Sequence, residues 1–332
     1  MNEKKYMAFL VEQTNENRYI RKVTKQRVVD LPKGDVLVKV LFSSLNYKDI
    51  LSSTGIKGVT KKYPHTPGID AAGVIEESTS AVFKPGDQVI VTGYDLGQNT
   101  AGGFGQYIRV PANWIVPLPK NLTLRESMIY GTAGFTAALS VYRLVNCGVT
   151  SDKGEILVSG ASGGVGSIAV SILSKVGYSV VAVNGITDEA DYLRKIGAKS
   201  VISIEEATDQ SKKPMLGARW AGCIDTVGGN ILSTAIRSTR PWGAVTSCGQ
   251  ISSFDLPLTV FPFIMRGVTL IGIDSVYCPM PLRKKIWGNL AKEWKIPWMD
   301  LITTETSLAE LDLRIDNMLK GNNRGRTIVR LW

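Results

Sequence analysis

Two short stretches of the chain carry residue types at spacings that chemistry uses. The first, Gly160-Ala161-Ser162-Gly163-Gly164-Val165-Gly166, follows the run Glu155–Ser159 and leads into residues of helical spacing. Missing Cβ atoms there let backbone amides close on a pyrophosphate, and the positive end of the helix dipole favours its charge. Glycines alone are a weak signal. A strand before them, a helix after them and a βαβ frame of about thirty residues make a dinucleotide site the stronger reading over a merely structural turn. Ser162, Gly163, Gly164 and Val165 are then the phosphate contacts, Gly160 the strand exit and Gly166 the point of close helix packing. The second stretch, Asn46-Tyr47-Lys48-Asp49, sets a carboxamide, a phenol and a carboxylate close together. Tyr47 and Asn46 are the catalytic candidates, with Tyr47 a cofactor contact or a proton donor in place of solvent. Asp49 is a third candidate for the polar part, with tying the loop to the start of a helix as its structural alternative.

About twenty residues beyond such glycines an NAD site carries Asp or Glu, whose carboxylate binds both ribose hydroxyls and repels a 2′-phosphate. This chain has Val183-Asn184-Gly185-Ile186 instead. The missing carboxylate favours NADPH, although no arginine stands at Ile186 to clamp the phosphate. Asn184, Gly185 and the amides beside them suit NADH as well.

The elements that must position these groups fall into two patterns. Short β runs alternate with turns over Ala8–Glu12, Asp35–Ser43, Ile69–Glu76, Gln88–Thr92, Gly105–Val110 and Ile115–Pro117, which reads as a mostly antiparallel domain. Ser43–Thr54 reads as a loop entering a short helix. From Leu124 the spacing turns helical over Ser127–Val145, and strands then alternate with helices: strands at Glu155–Ser159, Ser179–Val183, Ser200–Ile204, Gly222–Asp225, Gly243–Ser247 and Thr269–Ile273, helices at Gly166–Lys175, Glu189–Ile196 and Asn230–Thr239. That order implies parallel βαβ units and a doubly wound sheet. A last helix over Pro281–Glu293 precedes strands at Leu301–Thr304 and Thr327–Leu331, so the chain returns to its first domain. The expected division is 1–125, 126–295 and a return segment 296–332.

The 332 residues hold 39 basic and 29 acidic side chains, a net charge of +10, yet the basic residues are scattered and form no run of the kind that binds nucleic acid. A solvated surface is the plain reading. A cationic rim that draws in a nucleotide or coenzyme A is the functional one, with Lys57, Lys61 and Lys62 as a cationic stretch. No apolar run reaches the roughly 18 residues of a membrane span, and with a polar start the expected location is cytoplasmic. The four cysteines, 147, 223, 248 and 278, lie at least 25 residues apart, without metal-knuckle spacing, and read as buried free thiols. His65 stands alone, a packed or surface residue rather than a ligand.

Several motifs add a resemblance: Ser44-Leu45-Asn46-Tyr47-Lys48-Asp49, Pro67-Gly68-Ile69-Asp70 through Gly73, Gly131-Thr132-Ala133-Gly134-Phe135-Thr136-Ala137, the turn Gly160–Gly166, Asp225-Thr226-Val227-Gly228 and Gly325-Arg326-Thr327. With them the sequence resembles the medium-chain dehydrogenase/reductase superfamily over nearly its whole length. Within it the chain is similar to the zinc-independent quinone oxidoreductase branch of YhdH/YhfP type, whose members are acryloyl-CoA reductases or quinone oxidoreductases. The resemblance implies an α/β protein: a doubly wound, parallel Rossmann cofactor domain plus a GroES-like, mostly antiparallel β catalytic domain. It also implies that Thr136, Thr226, Cys248 and Leu270 border adenine or nicotinamide, with core packing as the alternative. Arg326 would reach a phosphate or else face solvent.

Zinc members of the superfamily need a catalytic Cys and His and a four-cysteine lobe. Asn46–Asp49 stand where a zinc-binding cysteine would fall and no cysteine cluster follows Gly93, so no zinc is expected. Hydrogen-bond donors must then steady the developing charge, which favours conjugated acceptors over alcohols. The leading expectation is an NADPH-dependent reductase delivering hydride to the β carbon of a short 2-enoyl-CoA such as acryloyl-CoA. A quinone reductase is the second, and a non-catalytic nucleotide- or RNA-binding relative a remote third. A homodimer is implied, with the apolar stretch Val268–Ile273 as its edge strand.

Overall fold

The computed structural model describes residues 4–56, 58–185 and 189–332, so Lys57 and Ile186 lie outside the described residues. The chain forms two compact units, Met1–Thr132 with Val276–Lys284 and Ile302–Trp332, and Ala133–Ser275 with Lys285–Leu301.

In the first unit β1 (Lys5–Gln13) pairs antiparallel with β2 (Tyr19–Arg27) along its whole length. The sequence pattern does not announce β2, because its residues are half-buried or exposed throughout and carry no apolar face. What fixes it is long-range: the Arg21 guanidinium lies 2.7 Å from both Asp312 and Asp316. Next come β3 (Val36–Leu45), the helix α1 (Tyr47–Thr54), β4 (Asp70–Ser78), β5 (Gln88–Thr92), β6 (Tyr107–Val110) and β7 (Ile115–Pro117). Strand β3 organises the unit. It pairs with β4 on one edge, and on the other with β6 along its first half. Its Val36, Val38 and Val40 join the core that also holds Ile75, Val89, Phe104 and Ile108. Two register shifts interrupt the β3–β4 ladder, and there Gly73 brings its backbone so close that a Cβ would sit 2.0 Å from the Lys39 carbonyl oxygen.

Helix α2 (Leu124–Asn146) is bent at Gly131, whose φ of 50° and ψ of −154° are open to glycine alone, and the chain passes to the second unit just beyond, at Thr132. The second unit alternates β8 (Ile156–Val158), α3 (Gly164–Lys175), β9 (Val180–Asn184), α4 (Ala190–Lys195), β10 (Ser200–Ser203), α5 (Ile204–Ala207), β11 (Trp220–Asp225), α6 (Gly229–Arg237), β12 (Thr239–Ser247), α7 (Phe261–Arg266) and β13 (Thr269–Gly272). The strands are all parallel, in the order β10-β9-β8-β11-β12-β13. This is the doubly wound arrangement, and the uninterrupted burial of β8, β9 and β11 follows from cover on both faces.

Helix α8 (Met280–Leu290) follows, and its first residues belong to the first unit. The return is completed by β14 (Thr303–Ser307), α9 (Leu311–Leu319) and β15 (Arg326–Arg330), with β15 joining the second half of β3. The expected strand at Leu301–Thr304 is displaced. Residues Met299–Ile302 form a single helical turn, since Met299 and Ile302 are buried at a spacing of three while Leu301 faces out. Among the described residues no helix is long and apolar enough to cross a membrane.

Substituting Gly73→Val puts a branched side chain against the backbone of β3, which cannot retreat. Urea unfolding should show a loss of about 1–3 kcal/mol, and an unchanged midpoint would mean the strands are free to part.

Candidate functional site

The second unit ends its central strands at a groove. Strands β8 and β11 are neighbours whose following helices depart to opposite sides, the switch point at which doubly wound sheets bind ligands. A cavity of about 380 Å³ opens there, lined among others by Gly160, Ser162, Asn184, Gly185, Thr208 and Gln210. Gly160 has φ +58°, and a Cβ on it would meet Thr226 Oγ1 at 2.3 Å. A Cβ on Gly166 would meet the Gly160 carbonyl oxygen at 2.1 Å, so α3 can start where it does only because that position is bare. Gly163 caps the helix in extended conformation, and Ser162, Gly163, Gly164 and Val165 are all partly exposed. Bare backbone amides at the start of a twelve-residue helix, beside a cavity, form a cradle that fits a pyrophosphate. Asn184 closes β9 at the rim, with Gly185 exposed next to it.

The remaining cofactor candidates of this unit are more deeply engaged. Thr226 donates its amide to Ser159 Oγ and its hydroxyl to the Ser159 carbonyl, both at 2.9 Å. Cys248 donates its thiol to the Asp225 carbonyl at 3.4 Å, and burial, then Asp225, push that thiol up to about 12. Leu270 packs against the core of the sheet, and Thr136 is buried in α2.

The first unit holds the other constellation. Asn46 lies between β3 and α1, and its side chain faces inward: Nδ2 donates to Asp70 Oδ2 at 2.8 Å and to the Ser44 carbonyl at 3.2 Å, while Oδ1 accepts from Arg326 at 3.2 Å. Asp70, fully buried at the head of β4, also accepts from Ser44 Oγ, from the Thr132 amide and from Thr132 Oγ1, at 2.5, 2.8 and 2.5 Å. Asp49 accepts the amides of Asn46, Gly68 and Ile69. Burial first and the Asp70 carboxylate second push its carboxyl up to about 7, against the pull of those amides. Arg326 neither reaches for a phosphate nor faces solvent. It is 2% exposed, and it donates to the carbonyls of Ile129 and Leu45, to Asn46 and to Ser44 Oγ, with Asp70 at 3.9 Å. Gly131 completes the cluster, since a Cβ there would lie 2.4 Å from Asp70 Oδ2 and 2.9 Å from Arg326. Tyr47, by contrast, is half exposed at the first position of α1.

His65 is packed, its Nε2 2.9 Å from the Gly97 carbonyl, and burial pushes its pKa down. Of the cysteines, 223 and 278 are buried and 248 partly so, but Cys147 is exposed, because it falls in the frayed turn that ends α2. Among the described residues no group of three His, Cys, Asp or Glu side chains is placed to hold a metal ion.

Residues 32–120 match the alcohol dehydrogenase GroES-like domain, and residues 164–294 the zinc-binding dehydrogenase family. The "Putative quinone oxidoreductase YhfP" of Bacillus subtilis is 46% identical over 91% of this chain and 92% of its own. Acrylyl-CoA reductase AcuI of Ruegeria pomeroyi is 40% identical over 98% of both. The chain belongs to the medium-chain dehydrogenase/reductase superfamily. It is an oxidoreductase. Two crystal structures of superfamily members superpose closely: the YhdH oxidoreductase of Salmonella enterica in complex with NADP, with a TM-score of 0.95, 40% identity and 98% and 100% of the two chains covered, and Bacillus subtilis YhfP with NAD bound, with 0.96, 43%, and 99% and 100%.

Within this superfamily frame the sequence reading missed how Asp70, Gly131, Thr132 and Arg326 meet. Their motifs were visible as resemblances, yet nothing in local spacing announces that these three distant segments share one buried cluster with Ser44 and Asn46. Further lining residues of the groove were missed altogether: Thr208, Gln210, Ile251 and Ser252 sit in irregular loops without a signature, and Asn230 sits in the first turn of α6.

The raised Asp49 carboxyl has a pH signature. Between the ordinary value of 3.8 and about 7, the folded chain holds a proton that the unfolded chain has released, so this group's contribution to stability falls as pH rises through that window and is level above it. Unfolding free energies of wild type and Asp49→Asn, compared at about pH 4.5 and about pH 8, should shift in favour of the variant at the higher pH. A pH-independent difference would mean Asp49 is ionised throughout.

Proposed function

We propose that the protein is an NADPH-dependent reductase, working without zinc, that reduces the α,β double bond of a short 2-enoyl-CoA. The observation that carries the cofactor side is the groove at the switch point, opened by glycines and ending at β9 in the carboxamide of Asn184 where an NAD site would place a carboxylate. Ser162, Gly163, Gly164 and Val165 would hold the pyrophosphate. Asn184 and Gly185 would meet the adenosine ribose, and Thr226, Cys248, Leu270 and Thr136 would border the rings. When bound, the reduced nicotinamide supplies a hydride. Support for this cofactor comes from the relatives too, one bound to NADP and another to NAD.

For the acceptor, the residues at 46–49 favour a conjugated carbonyl, since they offer a carboxamide, a phenol and a carboxylate and no metal ligand set. Asn46 and Asp49 are bound up in the buried cluster, which leaves the Tyr47 hydroxyl as the group able to touch cofactor or deliver a proton to the α carbon. Asn46 then acts by holding the start of α1. The exposed Lys61 and Lys62 suit the phosphates of coenzyme A. Quinone reduction is the second reading, favoured by the name of the 46% identical relative. The exposed Ile264 and Met265 of α7, beside the edge strand β13, support a homodimer joined through that edge.

Steady-state oxidation of NADPH should be fast with acryloyl-CoA and slow with a panel of benzoquinones, and equally feeble rates on both would sink the enoyl-CoA reading. Tyr47→Phe should lower kcat about a hundredfold if the phenol is the proton donor; turnover left intact would assign that proton to solvent. A fluorescence titration should show NADPH binding more tightly than NADH, and the reverse order would overturn the preference.

A further inference from the structure

We infer that Asp225 is the positioning residue of the cofactor groove, its buried carboxylate holding the wall made by Val227, Asn230, Ile231, Ile251 and Ser252 in the shape that receives a dinucleotide. The inference rests on the nicotinamide reading above.

Asp225 is the last residue of β11 and is fully buried. Its carboxylate accepts from Ser159 Oγ at 2.7 Å, from the Gly228 amide at 2.9 Å and from the Val227 amide at 3.4 Å. All three partners donate, which suits a carboxylate and not a carboxamide, whose NH₂ would face another donor. With its proton given to Asp225, Ser159 Oγ can accept the Thr226 amide, as it does at 2.9 Å. The Asp225 carbonyl takes the Cys248 amide at 3.1 Å, and the Val227 carbonyl takes the Ser252 amide at 2.9 Å. The carboxylate thus joins the end of β8 to the turn leaving β11 and takes a further hydrogen bond from Ser247, the last residue of β12, while the main-chain carbonyls of Asp225 and Val227 hold the segment leaving β12; the segments leaving β11 and β12 form the wall.

The joint has no slack. Thr226 is pinched between Gly160 and Gly249, where a Cβ on the latter would lie 1.8 Å from the Thr226 carbonyl oxygen. The opposite wall, with Ser162, Asn184 and Thr208, follows β8, β9 and α5; the carboxylate meets that side at Ser159 Oγ, whereas both of its amide donors belong to the wall leaving β11. Loss of the Asp225 charge should therefore loosen one wall, weakening cofactor binding more than it slows turnover at saturation.

The test is a fluorescence titration of NADPH into wild type, Asp225→Asn and Ser159→Ala, with thermal melting and kcat at saturating NADPH for each. A hydrogen bond to a charged group corresponds to about tenfold or more in affinity, so Kd should rise at least that much in D225N and less, in the same direction, in S159A, with kcat changing less than Kd. Unchanged Kd with a lowered melting temperature would make the carboxylate merely structural and overturn the inference. Should D225N fail to fold, S159A carries the test with the same two results. Wild type that takes up neither NADPH nor NADH overturns the cofactor reading itself, and the inference with it.

Discussion

The first unit depends on a single guanidinium. Arg326 is sealed from water with two carboxylates near it, Asp70 and Asp49, and each of those is itself satisfied by amides or hydroxyls. Such a cluster gains little over an apolar core of equal volume, but removal of one partner leaves a buried charge uncompensated, at a cost of about 3–5 kcal/mol. Its worth lies in specificity. Arg326 comes from the returning tail, Asp70 from β4, Ser44 and Asn46 from the end of β3, and Thr132 from α2, so the cluster is complete only when all four segments have arrived. Gly131 bends α2 at the one point where any side chain would fall into the cluster, which ties the kink to the charges.

A related economy governs the second unit. Behind the groove the Asp225 carboxylate is buried, and crowded backbone does the rest: Gly160, Gly166 and Gly249 each sit where a Cβ would strike a carbonyl or hydroxyl oxygen. A wall of side chains can shift to admit a larger neighbour; a carbonyl held in the turn just past the end of a buried strand cannot. The groove is thus cut by the absence of atoms at fixed places, and its polar lining of Ser162, Asn184, Thr208, Gln210, Asn230 and Ser252 surrounds that cut with uncharged groups.

Legibility in the sequence follows from the same contrast. The turn Gly160–Gly166 could be read because its signature is local: apolar strand, glycines and helix lie within one short stretch. The parallel sheet was equally legible, since strands buried on both faces leave unbroken apolar runs such as Ile156–Val158 and Val180–Val183. Strand β2 was not, because its partners are the β1 backbone and acids near the far end of the chain. Asn46 was singled out for its type, a carboxamide, and Arg326 through the resemblance, and neither type nor motif carries a record of the direction a side chain takes. Both turn inward, to each other and to Asp70.

That inward turn narrows the chemistry. A reduction that builds negative charge on a substrate oxygen or α carbon calls for a donor, and a donor already committed to a buried acceptor is a poor one, since its withdrawal would strand that acceptor. Asn46 Nδ2 serves Asp70 and Ser44, the Arg326 guanidinium serves carbonyls, Asn46 and Ser44, and Thr132 serves Asp70. Tyr47 is left, half exposed on the first turn of a helix whose own start is fastened by Asp49 to the Asn46 amide. The buried cluster thus sets the place of the tyrosine without touching what the tyrosine touches. An exposed phenol on a rigid footing can meet a carbonyl of more than one kind, so under the proposed function a preference for a thioester over a dione would be written elsewhere than in Tyr47.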